Sequence, residues 1–176
     1  MTNKILHSEI ENRLNSIFEI RSEIPSYISQ NISHDLRPYQ EEGLQHFLYA
    51  LEAENVLVKF NHLLFHMATG SGKTVILASV ILELFKRGYK RFLFFVNNDG
   101  IVKKTEDNLL NSSSPKYLFN KEGIVVDSEY ISFQIVDNFP NFEEPNTIYI
   151  KLTTIQKLHY DLTYPSEDSF SLDAIA

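Results

Sequence analysis

Nine consecutive residues constrain this chain more than any others: His66-Met67-Ala68-Thr69-Gly70-Ser71-Gly72-Lys73-Thr74. They follow the apolar run Leu63-Leu64-Phe65-His66, which reads as a buried strand. They precede Val75, Ile76, Ala78, Val80, Ile81, Leu84 and Phe85, spaced as on a helix that buries one side. Gly70 and Gly72 permit backbone conformations and a close approach that side chains would block. A loop opening a helix offers an anion free N–H groups and the positive end of the helix dipole. Lys73 can reach the β- and γ-phosphates of a nucleotide, and the Thr74 hydroxyl can ligate a bridging Mg²⁺. The general pattern is G-x-x-x-x-G-K-[ST]. Met67 stands where its first glycine belongs, but Ala68, Thr69, Gly70, Ser71, Gly72, Lys73 and Thr74 keep the rest. The bland alternative, a glycine-rich turn beside a surface lysine, does not explain why the motif sits between strand and helix patterns.

The flanking patterns extend this unit. Lys73 to Arg87 reads as a helix, with Gly88 placed for a left-handed C-terminal cap. Arg91 to Val96 is apolar on both faces, as a central parallel strand should be. Asn97 to Gly100 turns, and Ile101 to Leu110 reads as a further helix. Strand, helix, strand, helix at this spacing predicts an α/β domain with a mainly parallel sheet flanked by helices. Ile124 to Val126, Ser132 to Val136 and Thr147 to Thr153 read as strands, and Ile155 to Leu162 as a short helix. Upstream, Pro38 suits the first turn of a helix whose stripe is Leu44, Phe47, Leu48 and Leu51. Residues 1–35 read as an N-terminal arm, with an amphipathic helix through Ile10, Leu14 and Phe18 that Pro25 would end.

Apolar content of 43% suffices for one core, and 176 residues fit one domain. The absence of cysteine excludes disulfides and thiolate chemistry. No apolar run is long enough to span a bilayer, and the first residues lack a signal-peptide pattern. A cytoplasmic location is the simplest expectation. A net charge of −7 disfavours a membrane-surface role and requires any nucleic-acid contact to be local. Lys86, Arg87, Lys90 and Arg91 are explained by charge at a helix end. Lys103 and Lys104 read as a solvated face, and His62 and His66, four apart, straddle a run that reads as a strand rather than a helix turn, which disfavours a metal site.

Ala68 to Thr74 resembles motif I of superfamily-two helicases, and Leu36-Arg37-Pro38-Tyr39-Gln40 resembles the adenine-reading element that precedes it in many of them. Phe65 to Gly70 looks most like the restriction subunits of type III restriction-modification enzymes, where Met67 is ordinary. Lys151-Leu152-Thr153-Thr154-Ile155-Gln156 resembles a later strand-to-helix motif. The resemblance spans about residues 36–160. It implies a RecA-like domain over residues 36–176 that uses ATP and Mg²⁺ to drive movement or switching on duplex DNA, with a methyltransferase subunit as partner. Gln40 would hydrogen-bond the adenine edge, or merely cap its helix. Thr153, Thr154 and Gln156 would touch the DNA backbone, or form an ordinary capped helix. Asn97 and Asn98 would face a phosphate, or simply turn the chain.

The family's acidic D-E-x-H element is not found. Glu41-Glu42, Glu143-Glu144 and Glu167-Asp168 do not follow buried strands. Nor is a second RecA-like half or a nuclease motif found. The chain therefore reads as the N-terminal part of a longer protein, binding nucleotide weakly and turning it over little by itself. Two rivals remain at this stage: a P-loop enzyme of another class, such as a small-molecule kinase, and a non-catalytic binding module.

Overall fold

The computed structural model describes residues 23–53, 62–96 and 98–164. The chain runs α1 (Ser26–Ser29), α2 (Pro38–Ala53), α3 (Lys73–Lys86), β1 (Arg91–Phe95), α4 (Asp99–Leu110), β2 (Ile124–Val126), β3 (Glu129–Ile135), β4 (Thr147–Thr153) and α5 (Ile155–Thr163). The expected amphipathic helix through Ile10 lies outside the described residues, as do Asn97 and Glu167-Asp168.

The four strands form one sheet in the order β1-β4-β3-β2. β4 pairs parallel with both β1 and β3, and β2 turns back antiparallel on β3. That turn places Asp127 and Ser128 at positive φ, the geometry of a two-residue hairpin whose twist matches its strands. β4 is buried along its whole length.

Register divides the sheet into two unlike faces. Ile148, Ile150 and Leu152 of β4 share a face with Phe92 and Phe94 of β1 and with Phe133 and Ile135 of β3. This face meets α2, α3 and α4 in one core that includes Leu44, Phe47, Ile76, Ile81, Leu82 and Leu109. Ile28 and Ile32 join it from the N-terminal side. Asn31 fixes that segment to β2, donating from Nδ2 to the Val125 carbonyl (2.7 Å) and accepting at Oδ1 from the Val125 N–H (2.8 Å). The other face is more polar, carrying Thr147, Tyr149, Lys151 and Thr153 beside Arg91 and Ser132, with Leu93 and Phe95 along β1. The 136–146 connection folds against it. Arg91 pairs with Glu143 (2.6 Å) and donates to the Pro140 carbonyl (3.1 Å), while the Tyr149 hydroxyl accepts from the Glu144 N–H (3.0 Å). These bonds satisfy buried polar groups that would otherwise oppose folding.

Two sequence expectations are corrected. Leu63 to His66 forms no strand, and Leu64 is 89% exposed. A strand needs a neighbour to accept its backbone bonds, and no described strand lies alongside this run. Arg91 to Val96 is not central either. β1 ends the sheet among the described strands, its residues half-buried and Phe95 exposed. An apolar strand reports how much burial it needs, not which neighbour supplies it.

Candidate phosphate-binding site

The loop between Met67 and Lys73 is shaped by its two glycines. Gly70 has φ 80° and Gly72 has φ 82°, both in the region that favours glycine. At Gly72 a second constraint applies: an added Cβ would lie 2.4 Å from Gln40 Nε2. Gly72 is also the N-cap of α3 and has no side chain to cap it. The first-turn N–H groups of α3 are thereby left without a competing side-chain acceptor, the arrangement an anion requires.

Behind the loop α3 is anchored firmly. Val75, Ile76, Ala78, Ile81 and Leu82 are buried, and the Ser79 hydroxyl returns to the Val75 carbonyl (3.0 Å). At its far end Gly88 adopts φ 97° and closes the helix, as its place in the sequence predicts. Buried Glu83 pairs with Arg87 (2.6 Å) and accepts a short hydrogen bond from the Tyr27 hydroxyl. Burial, reinforced by that bond to Glu83, pushes the Tyr27 hydroxyl well above its ordinary pKa.

Lys73 folds back onto its own loop. Its ammonium donates to the carbonyls of Met67 (3.0 Å) and Ala68 (2.8 Å), and the Ser71 hydroxyl also donates to Ala68 (2.7 Å). The cation is exposed. Thr74, half-buried, follows in the first turn of α3. Ala68, Thr69 and Gly70 are exposed. Among the described residues no cluster of acidic, histidine or cysteine side chains could hold a metal by itself. The Thr74 hydroxyl, completed by phosphate oxygens and water, is a donor set that could suit Mg²⁺.

Gln40 is 4% exposed and its amide is engaged at both ends. Oε1 accepts from the Arg37 N–H (2.8 Å), and Nε2 donates to the Ser71 carbonyl (2.9 Å) and at the limit of reach to Gly72 (3.5 Å). A second side chain of α2 reaches the same carbonyl. The Tyr39 hydroxyl also donates to the Ser71 carbonyl (2.9 Å), while accepting from Arg37 Nη1 (3.1 Å). In the sequence Tyr39 stands only as a member of the Leu36-to-Gln40 element, with no role marked for its hydroxyl.

The remaining candidates lie at the starts of α4 and α5. Thr153 and Thr154 are buried, at 1% and 9% exposure, and Gln156 is exposed. The Thr154 hydroxyl caps α5 by accepting from the Lys157 N–H (3.1 Å), and Asn98 caps α4 by accepting from the Ile101 N–H (3.1 Å).

A positive-φ glycine loop, feeding a buried helix beside a mainly parallel sheet, defines an α/β phosphate-loop domain of RecA-like type. Residues 33–174 match the family described as "Type III restriction enzyme, res subunit". The chain is 34% identical, over 180 residues, to the "Probable type III restriction-modification enzyme HindVIP Res subunit" of Haemophilus influenzae, covering 96% of this chain and 34% of that protein. No solved structure is a significant match. The chain belongs to the type III restriction enzyme Res-subunit family, and it spans about a third of the length of the curated relative. No described helix is long and apolar enough to cross a membrane.

Proposed function

We propose that this chain is the ATP-binding part of a DNA-dependent motor in a type III restriction enzyme. The carrying observation is the loop itself. Gly70 and Gly72 sit at positive φ, the α3 N-terminus has no side-chain cap, and Lys73 rests on two loop carbonyls. A nucleotide tail offers Lys73 stronger, charged acceptors in place of those carbonyls. In this reading Ala68 to Thr74 wrap the phosphates, Lys73 binds the β- and γ-phosphates, and the Thr74 hydroxyl holds Mg²⁺. The bound metal would neutralise charge building up on the transferred phosphoryl group.

Two further roles belong to the same reading. Duplex DNA would run past the starts of α4 and α5, where Asn97, Thr153, Thr154 and Gln156 lie in sequence. Exposed Gln156 is the side-chain donor there best placed for a phosphate. A modification subunit is the expected partner, because the relative is named as one subunit of a restriction-modification enzyme. Family membership argues against a kinase of another class. Gln40 would read adenine only by exchanging its present bonds to Arg37 and Ser71.

Calorimetric titration with ATP and GTP in Mg²⁺, alongside Lys73→Ala, tests the site. Binding that prefers ATP and falls at least about a hundredfold in the variant is expected, since a charge-assisted contact is lost. Equal binding by the variant would remove Lys73 from its assigned role, and with it the site.

A further inference from the structure

The Ser71 carbonyl accepts two hydrogen bonds from one turn of one helix, from Tyr39 Oη and from Gln40 Nε2, each at 2.9 Å. Both donors approach from α2, so the carbonyl points towards α2. The Ser71–Gly72 peptide is trans, because the described chain contains no cis bond. In a planar trans peptide the N–H points opposite to the C=O. Pinning the Ser71 oxygen therefore turns the Gly72 N–H away from α2. Gly72, at φ 82°, would otherwise have more backbone freedom than any other residue type.

We propose that Tyr39 is a positioning residue that holds the Ser71–Gly72 peptide with its N–H aimed at the bound phosphates. Arg37 supports it from behind, donating to the Tyr39 hydroxyl at 3.1 Å. Tyr39 is 43% exposed, so its ring contributes modestly to packing, and its hydroxyl is the part that acts on the loop. Gln40 shares the Ser71 oxygen and works in the same sense. The inference rests on the nucleotide-site reading above, and it assigns Tyr39 to the phosphate end of the ligand.

Tyr39→Phe removes the hydroxyl and keeps the ring. Pyrophosphate, which has no base, separates the two possible roles. With the wild-type chain and the variant titrated against Mg·pyrophosphate, Mg·ATP and Mg·GTP, the variant should lose about tenfold for all three ligands, the scale of one hydrogen bond. The ratio of ATP to GTP affinity should not move. Unchanged pyrophosphate binding would overturn the inference, whether or not the ATP to GTP ratio shifts. A wild-type chain that binds neither pyrophosphate nor ATP would overturn the nucleotide-site reading and this inference together.

Discussion

Gly72 and Gly43 make opposite cases for the same substitution. An alanine at Gly72 must hold φ near 82° and place its Cβ 2.4 Å from the Gln40 amide nitrogen. Left-handed backbone alone costs a non-glycine residue about 1–2 kcal/mol, and Gln40 must also abandon Ser71 to make room. At Gly43, inside α2, an added Cβ meets nothing within 4 Å. A helical glycine there costs about 1 kcal/mol relative to alanine. Thermal unfolding should therefore show Gly72→Ala lowering the midpoint and Gly43→Ala raising it. Only Gly72→Ala should also lose Mg·ATP binding. Two midpoints moving together, in either direction, would contradict the geometry described for the loop.

At the scale of the element, α3 joins the phosphate loop to the segment before α2. Its far end is tied to α1 through Tyr27 and Glu83, and Glu83 is tied in turn to Arg87. Lys86 adds a cation over the Tyr27 ring at 5.7 Å and an ion pair to Asp127. Burial first, and then the bond to Glu83, raise the Tyr27 pKa from its ordinary 10.0. The folded chain thus holds this proton more tightly than the unfolded chain does. Below pH 10 both states keep it, and stability does not depend on it. Above pH 10 the unfolded state releases it first, so stability falls as pH rises. Tyr117, raised by burial, acts in the same direction. Tyr27→Phe should cost about 1–2 kcal/mol at pH 8 and make the loss between pH 10 and 11 shallower, with the Tyr117 contribution remaining. Urea midpoints across that range would decide it, and an equally steep loss in the variant would rule Tyr27 out as a source.

At the scale of the whole molecule, the sheet ends at β1 among the described strands. The bonds from Tyr149 N–H to the Lys90 carbonyl and from Val96 N–H to the Thr153 carbonyl fix the alternation. Phe92 and Phe94 therefore direct their backbone groups towards β4, and Leu93 and Phe95 direct theirs the other way. On this edge strand Phe95 is 45% exposed. Apolar strand edges of this kind are ordinarily covered. Amide exchange should be fast at Leu93 and Phe95 and slow at Phe92 and Phe94 in this chain. In a protein of the relative's full length the first pair should also become protected. Protection of Leu93 and Phe95 in the chain alone would show that the edge is already paired.

Much of the architecture was legible because it rests on local chemistry. Gly72 to Gly88 declares a helix, its entry glycine and its terminal cap within seventeen consecutive positions. The run from Thr147 to Thr153, continued by the Thr154 cap, does the same for β4 and α5. The phosphate loop is legible for a similar reason: its glycines, lysine and threonine must be adjacent to surround one ligand. What the sequence could not determine depends on partners distant along the chain. Whether Leu63 to His66 becomes a strand, and whether β1 is central, depends on neighbouring strands, which no local pattern encodes. Residues 24–32 are polar enough to read as an arm, yet Ile28 and Ile32 are buried and Asn31 is bonded to β2. Tyr39 shows the same limit. By itself it is one aromatic residue on a helix, and only the tertiary structure sets its hydroxyl against the Ser71 carbonyl, thirty-two positions away. The sequence determines which groups can bind a phosphate, and the packing of α2 against the loop decides how they are aimed.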